Sequence, residues 1–96
     1  GFRLDEPAID AAIALALISS IRDIPVPQDV IAVGEIGLAG EVRSVRNAKQ
    51  RAAEASRLGF AKIALPSYSA KEAGNIECTP LRSVFDLVRL LPKKEG

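Results

Sequence analysis

Apolar residues recur at helical spacing between positions 8 and 21, and polar residues and prolines mark both ends of this segment. Asp5-Glu6-Pro7 is typical of a helix start, because acidic side chains favour the positive end of the helix dipole and proline fits the first turn. Pro25 and Pro27 then break the helix. The main apolar stripe comprises Ile9, Ile13, Ala16, Leu17 and Ile21. Since further apolar residues lie beside this stripe, the pattern predicts a first helix that is buried on most sides.

The next segment has the pattern of a hairpin. Residues 29–35 are rich in β-branched side chains, which predicts a central strand. Gly37 and Gly40 bracket a predicted tight turn, and residues 41–45 return as a second strand. The glycines of 34–40 do not form a phosphate loop, because the Lys-Ser/Thr ending of that motif is absent.

The second half of the chain again alternates between helices and strands. A helix is predicted from Asn47, its expected cap, to Leu58, with Gly59 at the position where helices often end. The other predicted elements are a strand at 62–65 ended by Pro66, a short helix from Ser67 or Ser69 to Gly74, a strand at 76–79 and an amphipathic helix at 81–91. This alternation predicts an α/β domain at 1–91, a sheet with packed helices, followed by a flexible tail at 92–96. Because the strands are few and the first helix is so apolar, we expect elements N-terminal to Gly1 to complete the layer.

Composition restricts the chemistry that the chain can perform. It has 96 residues, the size of one small domain, and only 4% of them are aromatic, so the core must come from Ile, Leu, Val and Ala. The absence of histidine excludes a Cys/His zinc site and a Ser/His or Cys/His catalytic pair, and the single Cys78 cannot form an internal disulfide. No signal sequence or membrane span is recognisable, so we expect a cytoplasmic protein without membrane contact.

Charge is distributed unevenly along the chain. Residues 1–40 carry two basic and six acidic side chains, and residues 41–96 carry eleven basic and six acidic ones. Between positions 42 and 53 there are four basic residues and no acid: Arg43, Arg46, Lys49 and Arg51. On the predicted helix Arg46 and Lys49 would share a face, and such side chains can neutralise DNA phosphates. The alternative is an ordinary solvated helix face. No aromatic residue is interleaved with these four, so base stacking is not expected here.

Several motifs occur in a diagnostic order: GFRLDEPA at 1–8, PVPQD at 25–29, GEIGLAGEVR at 34–43, RLGF at 57–60 and IALP at 63–66. This succession resembles the proteolytic domain of Lon proteases and, more closely, the Lon-protease-like C-terminal domain of the RadA (Sms) family of bacterial DNA-repair proteins. Magnesium-chelatase-like proteins have a similar domain, but the Asp-Glu-Pro-Ala helix start favours RadA.

The resemblance implies a fold like domain 2 of ribosomal protein S5, without its N-terminal elements. It further implies contact with duplex or branched DNA and self-association, as a hexamer in the complete protein. No cofactor is expected in this chain, since ATP and zinc would belong to upstream domains of the family that are absent here.

The resemblance also implies that the proteolytic chemistry is lost. Lon-type proteases use a serine and a lysine as a catalytic dyad, and these positions correspond to Ala8 and Lys49. A methyl group cannot attack a carbonyl, so Lys49 is a base without a nucleophile. Glu6 replaces a glycine of the family, and we expect its carboxylate to lie beside Lys49 and raise the pKa of that lysine. Ser44 is a possible substitute nucleophile by type, but nothing in the sequence brings it to a substrate groove.

Three functions remain open at this level. The first is a non-catalytic scaffold that contacts DNA, within an ATP-dependent repair protein. The second is a peptidase with a non-standard nucleophile, which Ala8 argues against. The third is an oligomerisation module without a ligand, which the sequence does not distinguish from the first.

Overall fold

Two α-helices, five short strands and three 3-10 helices alternate along residues 6–93, the part of the chain that the computed structural model describes. The α-helices are α1 (Asp10–Arg22) and α2 (Ala48–Arg57). The strands are β1 (Val30–Ala32), β2 (Glu35–Ile36), β3 (Val42–Arg43), β4 (Lys62–Pro66) and β5 (Glu77–Leu81). The 3-10 helices are Pro7–Ile9, Ser67–Glu72 and Val84–Leu90. The predicted α/β class is thereby confirmed.

A three-stranded parallel sheet in the order β1-β4-β5 forms the centre, and β2 and β3 form a separate antiparallel hairpin. The prediction of one central strand at 29–35 is therefore wrong. The chain leaves the sheet at Gly34, whose N–H donates to the Ala8 carbonyl and whose carbonyl accepts the Ala11 N–H. A Cβ atom at this position would lie 2.7 Å from Val42 Cγ1, so a larger residue would force the buried Val42 side chain to shift.

The central strand β4 separates two hydrophobic clusters, since its side chains alternate between the two faces of the sheet. Ala64 belongs to the cluster beneath α1 and the third 3-10 helix, which also contains Leu15 and Leu87. Ile63 and Leu65 belong to the cluster beneath α2. Helices thus cover both faces of the sheet, as expected for a parallel sheet.

The outer side of α1 departs from the sequence prediction. Ala11 and Leu15 are the residues buried on this helix, whereas Ile13, Leu17 and Ile21 are 48%, 60% and 84% exposed. The predicted stripe therefore faces away from the sheet, because the helix approaches it through the opposite side, where a small residue at Ala11 permits close packing. The prediction that α1 is buried on most sides is wrong for the described chain.

The ends of the elements were predicted with mixed success. Gly59 follows α2 with φ +97°, as predicted, but Asn47 is itself left-handed and makes no side-chain capping hydrogen bond. The predicted last helix is a 3-10 helix that begins only at Val84. The predicted cap Asp5 and residues 94–96 of the predicted tail lie outside the described residues. Within residues 6–93, none of the helices combines the length and apolarity that crossing a membrane requires.

Candidate nucleic-acid interface

Ala8 lies in the first 3-10 helix and is 6% exposed, with its methyl group in the cluster beneath α2. A cleft opens beside it, which we name the Ala8 cleft. Its lining residues are Glu6, Pro7, Ala8, Glu35, Ser44, Val45, Arg46 and Arg51. Ala8, the expected counterpart of a protease serine, is therefore mostly packed into the core.

The charged floor of the Ala8 cleft is an ion pair between Glu6 and Arg51. Their side chains are only 24% and 16% exposed, and Arg51 Nε also donates to the Arg46 carbonyl at 2.8 Å. The expectation that Glu6 lies beside Lys49 is therefore not met. Lys49 and Arg51 are two residues apart on α2, so they project from nearly opposite sides of the helix and cannot both turn to Glu6.

Lys49 lines a different hollow, between α2 and residues 71–76, which we name the Lys49 hollow. Lys71 and Arg57 line it as well. Arg57 forms an ion pair with Glu54, whereas neither Lys49 nor Lys71 has an ion pair with any residue from 6 to 93. Lys49, the expected dyad lysine, and the Ala8 cleft are thus not joined in one site.

Ser44 follows β3 and lines the Ala8 cleft, a placement that nothing in the sequence indicates. The antiparallel pairing of Glu35 with Arg43 places the residue after β3 near the start of the chain's first helical turn. The basic side chains in this cleft are Arg46 and Arg51, and arginine stays protonated at any physiological pH. Ser44 therefore has no lysine in its cleft that could act as a base.

The four predicted DNA-binding residues do not form one surface. Arg43 is divided between Glu35 at 3.7 Å and Glu41 at 3.5 Å, and Arg51 is paired with Glu6. Arg46 precedes the left-handed Asn47 and lies outside α2, so the helical spacing that would place it on one face with Lys49 does not apply.

Arg46 and Lys49 keep their charge available. Both are exposed, and neither forms an ion pair within residues 6–93. They are the members of the basic set best suited to bind phosphate.

Two side chains, those of Glu41 and Cys78, have pKa values that depart from their ordinary ones. The N–H of Glu41 itself, the Ala39 N–H and the Arg43 guanidinium hold the pKa of the Glu41 carboxyl below its usual value, so Glu41 is charged at neutral pH. Burial raises the pKa of the Cys78 thiol, which makes this cysteine a poor nucleophile. Asp10 is used structurally, since its Oδ2 accepts the Ile36 N–H at 3.1 Å. Among residues 6–93, no three Asp, Glu or Cys side chains are grouped to hold a metal ion.

An aromatic residue beside Arg43 was missed from the sequence. Tyr68 is 81% exposed and shares a hollow with Arg43, although the two are distant in the chain. An aromatic ring therefore does lie among the basic residues.

Residues 2–69 match the family model described as subunit ChlI of Mg-chelatase, which covers more than half of the chain. The chain belongs to the ChlI family. Its curated relatives include the DNA repair protein RadA of Streptococcus pneumoniae, 51% identical over 69 residues that make up 72% of this chain and 16% of that protein. The protein of the same name from Synechocystis is 39% identical and covers 100% of this chain and 19% of its own length. RadA of Aquifex aeolicus is 36% identical over 95% of this chain and 20% of that protein.

These relatives confirm the sequence resemblance to RadA. The chain spans a fifth or less of the length of these three relatives.

Proposed function

We propose that this chain is a non-catalytic scaffold and DNA-contacting domain of an ATP-dependent DNA-repair and recombination protein of the RadA type, acting on branched recombination intermediates in the cytoplasm. ATP hydrolysis and zinc binding belong to other parts of such a protein. In this proposal the domain has the Lon-protease-like fold of ribosomal protein S5 domain 2. The motif GEIGLAGEVR, which forms the β2–β3 hairpin, supports that assignment.

The observation that carries the DNA contact is the availability of Arg46 and Lys49. Both side chains are exposed and have no ion pair within residues 6–93, in a chain whose relatives are named DNA repair proteins. A free cation on a surface binds phosphate without giving up an existing partner. Arg43 and Arg51, which have acidic partners, contribute less.

The contact is tested by fluorescence anisotropy with a duplex DNA at two salt concentrations. Two phosphate contacts from one small domain should give weak binding, in the non-specific range of about 10⁻⁴–10⁻⁶ M, with log K falling by about 0.9 per contact for each unit of log salt. The double variant Arg46→Ala/Lys49→Ala should bind more weakly at low salt and show a salt slope smaller by about 1.8.

Lys62→Ala/Arg89→Ala is the matched control. It removes the same net charge from two side chains that already have acidic partners, Glu77 and Asp86. Equal losses of duplex affinity in both double variants would show that the loss results from the change in net charge alone. An unchanged affinity and salt slope in Arg46→Ala/Lys49→Ala would show that these two side chains are only solvated and do not bind DNA.

The proposed loss of catalysis is tested with Ala8→Ser. The new hydroxyl would be mostly buried among apolar side chains, and Lys49 lines another hollow. We therefore expect neither cleavage of unfolded casein nor labelling by a serine-directed covalent inhibitor. Labelling of this variant, abolished by adding Lys49→Ala, would contradict the proposal, because it would show that the two positions do meet.

Self-association, as a hexamer in the complete protein, is the second proposed role. The exposed Ile13, Leu17 and Ile21 of α1 favour it, because a stripe of large apolar side chains in water is suited to contact with other polypeptide. Sedimentation velocity over a range of concentrations should show association of the wild type that Leu17→Lys reduces. A monomeric wild type at all concentrations would remove this surface from consideration for self-association by the chain alone.

A further inference from the structure

The hollow that contains Tyr68, the Tyr68 hollow, lies at the carboxyl ends of β4 and β5. These strands are parallel and Pro66 lies opposite Leu81, so the residues that follow each strand emerge at the same edge of the sheet. Ligands of open α/β sheets bind at this edge, because the loops there are free to carry polar groups. The hollow measures about 580 Å³, within the range of about 300–1,000 Å³ that is usual for ligand pockets.

Tyr68 provides an aromatic surface in this hollow. It is the second residue of the 3-10 helix Ser67–Glu72, which is anchored by the buried Pro66 before it and the buried Ser69 within it. With 81% of its surface exposed, the ring contributes little to the core. An exposed ring on a fixed backbone is a platform on which a nucleic-acid base can stack.

Arg82 provides the charge. Its carbonyl accepts the Val42 N–H at 2.9 Å and its own N–H donates to Asp86 Oδ2 at 2.7 Å, so its backbone is held from two sides. The guanidinium is exposed and forms no ion pair within residues 6–93.

The neighbouring Arg43 is offset by the ionised Glu41, which also lines the hollow. Arg82 lies near the Asp86 carboxyl, whose pKa its charge helps to lower, but it forms no ion pair with that group, which is paired with Arg89. Of the two arginines in the hollow, Arg82 is therefore the one better placed to attract a phosphate.

We infer that the Tyr68 hollow binds single-stranded DNA. A base stacks on Tyr68, the adjoining phosphate is bound by Arg82, and the hydroxyls of Ser44 and Ser67 line the same hollow as partners for a base or sugar. Duplex DNA does not fit this role, because its bases are already paired and stacked. The inference rests on the proposed function in one respect, namely that the ligand is DNA. Its residues differ from Arg46 and Lys49, which are proposed to contact duplex DNA.

The sequence provides a direct probe of stacking. Tyr68 is the single tyrosine of the chain and there is no tryptophan, so tyrosine emission reports on this ring alone. A short oligothymidylate should quench the emission, after correction for its absorption, and a blunt duplex of equal length should not. Anisotropy should show that Tyr68→Ala weakens single-strand binding about fivefold or more, as expected for one stacked base, while Tyr68→Phe binds like the wild type because it keeps the ring.

The charge and the specificity are tested in the same assay. Arg82→Ala should lower the salt slope for the single strand by about 0.7. Tyr68→Ala should bind duplex DNA like the wild type. Arg46→Ala/Lys49→Ala should bind duplex DNA more weakly, but oligothymidylate should quench its tyrosine emission as in the wild type. Each proposal can therefore be refuted without refuting the other.

Absence of quenching at millimolar oligothymidylate would overturn the inference. So would a Tyr68→Ala variant, folded by circular dichroism, that binds the single strand as tightly as the wild type. If that variant changed self-association but not oligonucleotide binding, the ring would be part of a protein contact and the inference would again be wrong.

Discussion

The two α-helices cover opposite faces of one sheet, but they differ in what they leave outside. α2 buries three alanines, Ala48, Ala52 and Ala55, and exposes mostly polar and charged residues. α1 buries Ala11 and Leu15 and exposes large apolar side chains along its outer side. α2 is complete as a solvent-facing helix, since short side chains let it approach the sheet closely and long polar ones face water. α1 has the composition of a helix with contacts on two sides, of which the described chain provides one.

The largest expected effect contrasts the same substitution on the two sides of α1. Leu15→Ala removes a side chain that is 4% exposed and leaves a cavity beneath the helix, which should cost about 2–5 kcal/mol of unfolding free energy. Leu17→Ala removes a side chain that is 60% exposed and should change this free energy by less than about 0.5 kcal/mol. Urea denaturation, followed by circular dichroism at low protein concentration, measures both. Similar losses would show that Leu17 is covered in solution.

The second contrast tests the close approach of α2. Ala55 is 0% exposed, so Ala55→Leu should overpack the cluster beneath α2 and cost about 1–3 kcal/mol. Ala53→Leu inserts the same side chain on the exposed side of the same helix, where alanine and leucine have similar helix propensities. Its unfolding midpoint in urea should lie near that of the wild type. A tolerated Ala55→Leu would mean that α2 has room to move away from the sheet.

Local signals in the sequence predicted what depends on local geometry. Gly37 and Gly40 identify the hairpin turn, and Gly59 identifies the end of α2, because these positions need a tight turn or a positive φ. The apolar period of α1 predicts a helix but not the side on which its neighbour lies. That side depends on the sheet, which is formed by residues distant in sequence.

The grouping of residues at the candidate site depends more on contacts between distant parts of the chain than the helices and turns do. The left-handed Asn47 leaves Arg46 outside α2, so Arg46 and Lys49 do not have the helical spacing that would place them on one face. Tyr68 and Arg82 line the same hollow because β4 and β5 run parallel in a register that no local pattern defines. Candidate residue types were therefore recognisable from sequence, whereas their grouping into an Ala8 cleft, a Lys49 hollow and a Tyr68 hollow was not.

The smallest expected effect concerns the third 3-10 helix, which packs against α1 through the cluster of Leu15 and Leu87. Asp86 Oδ2 accepts the N–H groups of Arg82 and Ser83, at 2.7 and 3.1 Å. These two hydrogen bonds, with smaller contributions from Arg89 and Arg82, lower the pKa of the Asp86 carboxyl from its ordinary 3.8. Asp86→Ala should cost about 0.5–1 kcal/mol at neutral pH, the size of a typical capping interaction.

The sign of the pH dependence follows from the lowered pKa. The carboxylate stabilises the folded chain fully above the ordinary pKa of 3.8, and this contribution is lost as the pH falls through the lower folded-state value. The difference in urea midpoint between wild type and Asp86→Ala should therefore shrink below about pH 4. Asp86→Asn keeps an oxygen that can accept these hydrogen bonds but has no charge. Its urea midpoint at neutral pH should therefore lie between those of the wild type and Asp86→Ala. If the difference in urea midpoint between wild type and Asp86→Asn stayed constant from neutral to acidic pH, the charge of Asp86 would contribute nothing to stability.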